Sequence, residues 1–320
     1  MISRFRRSSA VPSIPRAGRA PRLPFPPRGE SSSDLEETAM PRPEHTPAAP
    51  FSASPAPEST DALSAGGIER YLTNSQVTVR YEPVITSTNT VLKQMALDGA
   101  PAGLALVAGQ QTAGRGRMGR SFYSPAATGL YLSLLLRPDL PLSQAAGLTA
   151  CAAVSVAESI ESLADLHPRI KWVNDLYLGS RKVCGILTEA VPAPGQDRMS
   201  QVIVGIGVNT RVPADDFPPE LREIAGAVFG TAAIPDLRCR LAAGILDRLM
   251  QYAAHPADPR IWQKYRERSF VLGRPVQILA PGQAPVQATA LDLESDYALR
   301  VRLSDGTEQL LRSGEISLRL

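Results

Sequence analysis

Three arginines and three glycines alternate in the run QQTAGRGRMGR, residues 110 to 120. Such a loop suits an anion, because glycine lets main-chain N–H groups approach a ligand and each guanidinium offers a fork of donors matched to carboxylate or phosphate. Polar residues also gather at Ser87-Thr88-Asn89, at Lys171 to Asp175 with Lys182, and at Asn209. Each has a plainer reading: Ser87 ahead of an apolar run suits a helix cap, Lys171 and Asp175 suit a solvated ion pair worth little, and Asn209 suits a strand end.

Gly114, Gly116 and Gly119 spell a formal GxGxxG, and Asp139 follows at about the distance of a ribose-binding acid. A dinucleotide site needs those glycines to open a helix. Here SFYSPAATG follows, and its Pro125 and Gly129 oppose one. An RG-rich nucleic-acid tail is excluded because the loop occurs once, between two apolar runs.

The 320 residues are 43% hydrophobic and 20% charged, which suits more than one folded domain. The net charge of +3 owes much to arginines up to Arg28, a stretch without acids, so no broad basic face is expected on the folded part. Cys151, Cys184 and Cys239 form no CxxC, and His45, His167 and His255 form no ligand pair, which removes support for a disulfide framework, a structural zinc or a Ser-His-Asp triad. No apolar stretch is long enough for a membrane span. A soluble, cytoplasmic protein is expected.

Residues 1–65 are dense in Pro, Ser, Ala and charge and read as a disordered extension. No helix-turn-helix pattern precedes the folded part, so no DNA partner is expected. From Gly66, strand and helix signals mix: VTVRYEPVI, LALVAG and LYLSLLLRP as strands, STNTVLKQMALDG as a helix ending at Gly99, and LSQAAGLTACAAVSVAESIESL as the longest, core helix. RIKWVNDLYLGSRKVCGILTEAV reads as two strands about Gly179-Ser180, and QVIVGIGVNT as a third. After a helix-rich region ending near Phe270, short alternating strands with an Asp305-Gly306 turn form a small β domain. The fold class is α/β (α+β), a mixed sheet with flanking helices over 66–270 and a barrel-like domain over 271–320.

Taken together, TSTN at 86 to 89, QTAGRGRMGR at 111 to 120, FYSP at 122 to 125, KWVNDLYL at 171 to 178, RKVCGIL at 181 to 187, VIVGIGVNT at 202 to 210 and GEISLR at 314 to 319 resemble the biotin protein ligases, from Gly66 to the C-terminus. The resemblance implies a biotin/lipoate ligase-like catalytic domain and an SH3-like C-terminal domain. It implies activation of biotin by ATP to biotinyl-5'-AMP, with Mg²⁺ bridging the ATP phosphates, and transfer to a lysine of a biotin carboxyl-carrier domain, such as that of acetyl-CoA carboxylase. The chain resembles the monofunctional type, without a DNA-binding domain, as monomer or homodimer. A lipoate or octanoate ligase or transferase on the same fold, or a non-catalytic biotin or nucleotide sensor, are the alternatives.

By that resemblance Ser87, Thr88, Asn89, Gln111, Gly114, Arg115, Arg117, Phe122 and Lys182 would meet biotin, whose ureido ring matches hydroxyl, amide and backbone groups. Arg117, Arg120, Lys171, Asn174, Lys182 and Asn209 would meet ATP. Lys182 and Arg117 would stabilise charge on phosphate and acyl oxygens, and Asp175 would orient the incoming lysine or help a metal. Phe122 stands where relatives often have Trp, Val173 where Pro is frequent, and Cys184 where a small apolar residue is common; a buried, inert thiol is expected. The loop's glycines and like charges oppose ordering, so closure over biotinyl-AMP is expected.

Overall fold

In the computed structural model, residues 61–230, 232–279, 284–312 and 314–318 are described. The expected extension over residues 1–65 therefore falls largely outside the described residues. Its last residues do not lie loose: Asp61 is buried and accepts from the backbone N–H and guanidinium of Arg238, and Ser64 caps α1 (Ala65–Glu69).

A seven-stranded mixed sheet forms the centre, in the order β1 (Thr78–Ile85), β2 (Leu104–Gln111), β3 (Gly129–Leu136), β7 (Met199–Asn209), β6 (Arg181–Pro192), β5 (Asp175–Leu178), β4 (Arg169–Lys171). Only β1 and β2 run parallel; the other neighbours are antiparallel. The RIKWVNDLYL segment thus makes two strands rather than one, because Trp172 to Asn174 turn the chain back and pair Lys171 with Asp175. VIVGIGV, whose edge could have paired copies of the chain, is hydrogen-bonded on both sides, by β3 and β6.

Every residue of β3 is buried, as its nearly unbroken apolar run requires of a strand covered on both faces. On one face α2 (Thr88–Leu97) packs Leu92 and Ala96 against Leu106, Leu135 and Ile203. On the other lies α3 (Ala145–Glu161), rich in alanine and so able to approach α4 (Leu237–Ala253) closely. Asp258 caps α5 (Pro259–Arg268), with Pro at its first turn and Arg266 and Arg268 in its last, as capping and the helix dipole favour.

The C-terminal strands β8 (Pro275–Leu279), β9 (Val286–Leu293), β10 (Leu299–Leu303), β11 (Glu308–Leu311) and β12 (Glu315–Leu318) form an antiparallel sheet in which β12 returns to β8. The Asp305-Gly306 turn joins β10 to β11, with Gly306 at φ 87°. This sheet shares the apolar core of the larger one. Val276, Ala290 and Leu299 are buried in the same cluster as Leu148 and Ile160, and the Tyr265 and Tyr297 rings meet edge to face at 5.5 Å. That shared core sets β12 against the site.

Candidate active site

A cleft open to solvent at its mouth runs from the start of α2 to β12. One end is neutral. Ser87 caps α2, its Oγ accepting from the Thr90 N–H at 3.5 Å. Gln111 Oε1 accepts from the Thr88 N–H at 2.9 Å and lies 3.1 Å from Thr88 Oγ1, while its amide nitrogen donates to Ser124 at 2.9 Å. Asn89 donates to the Leu187 carbonyl and to Glu189, and its Oδ1 lies 2.6 Å from Ser133 Oγ. Ser87, Thr88 and Asn89 are nearly fully buried, so these bonds are required rather than incidental.

The floor is made of glycine. A Cβ on Gly205 would lie 1.9 Å from Asn89 Oδ1, and one on Gly207 would lie 2.5 Å from the Phe122 ring. Bare backbone therefore admits the buried amide and lets the aromatic ring pack directly against the strand. Gly114 is needed for a similar reason, since a Cβ there would meet the Phe122 carbonyl at 2.3 Å.

Cations crowd the other side. Lys182 Nζ lies 2.8 Å from Asp175 Oδ1, which also accepts from Asn174 at 3.1 Å. Arg115 is held by Glu189 at 3.0 Å and Arg120 by Glu315 of β12 at 2.7 Å. Arg117 donates to Asn174 Oδ1 at 2.9 Å and to the Gly314 carbonyl at 3.0 Å, both neutral acceptors. Lys171 is half-buried beneath the Tyr177 ring at 5.9 Å, and burial lowers its pKa from the ordinary lysine value. Burial likewise pushes the Tyr177 hydroxyl up to about 12. The Cys184 thiol is fully buried and strongly raised, which makes it an inert core group.

The loop bearing the arginines is a small hairpin: Phe122 N–H bonds the Gly114 carbonyl at 2.9 Å and Gly116 N–H the Arg120 carbonyl at 2.7 Å. Met118, in left-handed conformation at φ 54°, forms its exposed tip. Trp172 and Val173 behind the cleft are fixed by Tyr297, whose carbonyl accepts from the indole, and by Tyr265, which donates to the Val173 carbonyl.

Ser87, Thr88, Asn89, Gln111, Arg115, Arg117, Arg120, Phe122, Lys171, Asn174, Asp175 and Lys182 all line the cleft. Gly114 and Asn209 do not. Asn209, at the end of β7, donates to the Gly226 carbonyl at 3.1 Å, and Gly226 N–H bonds the Lys182 carbonyl at 2.8 Å. Its amide thus steadies the backbone of Lys182 rather than facing the cleft. Sequence reasoning missed Gly185, Gly205 and Gly207 of the floor, Trp172 of the wall, and the carboxylates Glu189 and Glu315. The glycines had a signal, since glycine inside an apolar strand marks close approach.

Residues 81–209 match the model of the Biotin/lipoate A/B protein ligase family, and residues 271–319 that of the Biotin protein ligase C terminal domain. The chain is 32% identical over 222 residues to the biotin–[acetyl-CoA-carboxylase] ligase of Mycobacterium tuberculosis, covering 67% of this chain and 79% of that protein. The chain belongs to the biotin protein ligase family. It is 39% identical over 191 residues to the bifunctional ligase/repressor BirA of Bacillus spizizenii, and the match spans 58% of each of the two proteins. Among solved structures, biotin protein ligase from Aquifex aeolicus in complex with biotin and ATP superposes with a TM-score of 0.61 at 27% identity, covering 75% of this chain and 98% of that one. The expected mixed α/β fold with its antiparallel C-terminal sheet is thereby established. No helix among the described residues is long and apolar enough to cross a membrane.

Proposed function

We propose that this chain joins biotin to the α-phosphate of ATP, releasing pyrophosphate. It then passes the biotinyl group from the adenylate to a lysine of the biotin-carrier domain of acetyl-CoA carboxylase or a related carboxylase. The observation that carries this reading is one cleft with a neutral, fully bonded amide and hydroxyl end and a cationic side facing it. The neutral end matches a ureido ring, which both donates and accepts. Phe122 covers the ring system by apolar contact.

Arg117 and Lys182 carry the chemistry. Both reactions build negative charge on phosphate and acyl oxygens, and fixed donors stabilise it without rearrangement in the transition state. Arg117 is held ready by two neutral acceptors, so an anion gains its full charge. Lys182 must exchange Asp175 for the ligand. Arg115 serves the biotin side; Arg120, Lys171 and Asn174 serve the phosphates, and Asn209 supports Lys182 through Gly226.

Among the described residues no group of three acids, histidines or cysteines could cage a metal. Mg²⁺ suits this donor set only as an ion carried on ATP phosphates with its own waters, where it would neutralise phosphate charge. Asp175 is the cleft carboxylate free of arginine and so the one able to meet its water shell. Division into a catalytic part over 66–270 and a C-terminal part over 271–320, acting in the cytoplasm, completes the proposal.

The test is biotin-dependent exchange of pyrophosphate into ATP. Exchange with biotin supports the ligase; exchange only with lipoate would replace it by a lipoate-transferring enzyme, and binding without exchange by a sensor.

A further inference from the structure

The cationic side chains of the cleft divide by partner. Arg115, Arg120 and Lys182 each hold a carboxylate, and Arg117 holds two neutral oxygens. Lys171 alone among them makes no side-chain hydrogen bond or ion pair with the described residues; its Nζ lies 5.9 Å from the centre of the Tyr177 ring. It ends β4, lines the cleft, and sits opposite Asp175 in the sheet register. The charged groups around it come from four elements: Asp175 of β5, Glu315 of β12, Lys182 of β6 and Arg120 of the loop.

Resting on the biotinyl-transfer reading above, we propose that Lys171 is the proton acceptor that frees the attacking lysine of the carrier domain. That lysine arrives as an ammonium, which has no lone pair. Lys171, in its deprotonated form, takes one of its protons. The freed amine then attacks the acyl carbon: the C–N bond forms, the acyl C–O bond breaks, and AMP leaves with that electron pair. The second nitrogen proton goes to the departing phosphate, and Lys171 returns its own to water.

Neighbouring groups are less suited. The arginines keep their protons at any working pH. Lys182 is engaged as a donor, to Asp175 here and to the ligand in the proposed reaction, and a carboxylate such as Asp175 is intrinsically a far weaker base toward an ammonium than an amine is. Burial disfavours the ammonium of Lys171 more than Asp175 and Glu315 favour it, with Lys182 and Arg120 acting in the same direction as burial. Bound triphosphate favours the cation during activation; after pyrophosphate departs a single phosphate charge remains and that pull weakens, so one side chain serves both half-reactions in turn.

Hydroxylamine isolates the step, because it is uncharged near neutral pH and needs no base to expose its lone pair. Full-length wild type, Lys171→Arg and Lys171→Met are each given preformed biotinyl-AMP and either the carrier domain or hydroxylamine. The expected result is a ratio of carrier transfer to hydroxamate formation that falls about 10²-fold in both variants. Transfer by wild type should also rise with pH and level off above the pKa of Lys171, whereas the variants keep rising. An unchanged ratio, whether neither reaction slows or both slow together, overturns the assignment. Failure of wild type to form hydroxamate from biotin and ATP overturns the ligase reading itself, and the assignment with it.

Discussion

At the Thr88 end of the cleft, Gln111, Thr88, Ser133 and Ser124 satisfy one another and Arg115 shares Glu189 with Asn89, whereas across from it Arg120 and Lys182 are each held by a carboxylate from a different element. The first arrangement is complete before a ligand arrives and presents it with fixed dipoles. The second must exchange partners. Ligand anions compete with Glu315 and Asp175, so binding on that side should weaken with salt and with charge change, while the Gln111-Thr88 network should be indifferent to both. Arg117, bonded only to uncharged oxygens among the described residues, is the exception on its side and has no carboxylate to exchange.

The comparison breaks most readily at Lys182. Lys182→Ala should lower biotin-dependent pyrophosphate exchange by about 10²–10³-fold, and rates near wild type would remove this residue from the chemistry. Arg117→Gly comes next: biotinyl-AMP should escape about 10- to 10²-fold faster from a purified complex, by analogy with losing a charge-assisted bond of roughly 1.5–3 kcal/mol. Retention equal to wild type would show that the arginine does not hold the adenylate.

On the neutral end, Gly205→Ala forces a methyl against Asn89 and should cost about 1–3 kcal/mol of stability, with biotin affinity reduced at low and high salt alike. Gln111→Leu strands the buried Thr88 N–H and should cost about 1–3 kcal/mol, read as a drop in midpoint of thermal unfolding; an unchanged midpoint would mean the network is not continuous. The smallest effect belongs to Glu315→Gln. Its partner Arg120 is largely exposed, so stability should move by about 0–1 kcal/mol, while apparent ATP affinity rises slightly at low salt and the gain fades at high salt. Limited trypsin digestion checks the loop: biotin with ATP should slow cleavage after Arg115 to Arg120, and equal cleavage would argue against closure.

Much of the site was legible because its residues are clustered in short runs with chemical character. TSTN opens one helix, the glycine-arginine loop is one hairpin, and KWVND-to-Lys182 runs through three adjacent strands, so many of their side chains reach one cleft. Asn209 was less legible. Strand-end polarity told that it bonds something, but whether that is a ligand or the Gly226 carbonyl depends on where the 224–228 segment returns. The break at Trp172 to Asn174 was hidden for a related reason: residues of that segment are apolar enough for a continuous strand, and Trp172 and Val173 turn there with partners more than ninety positions away.

The sequence by itself determined the element types, the anion-seeking loop and the buried character of β3, because propensity, periodicity and glycine placement are local properties. Only the tertiary structure decided how charge is shared in the cleft. Glu189 lies 74 positions from Arg115, and Glu315 lies 195 from Arg120. Pairings across such separations follow from how the two sheets share one core. The same packing left Lys171 half-buried beside an aromatic ring, with no hydrogen-bond or ion-pair partner among the described residues, a property that no reading of neighbouring residues could supply.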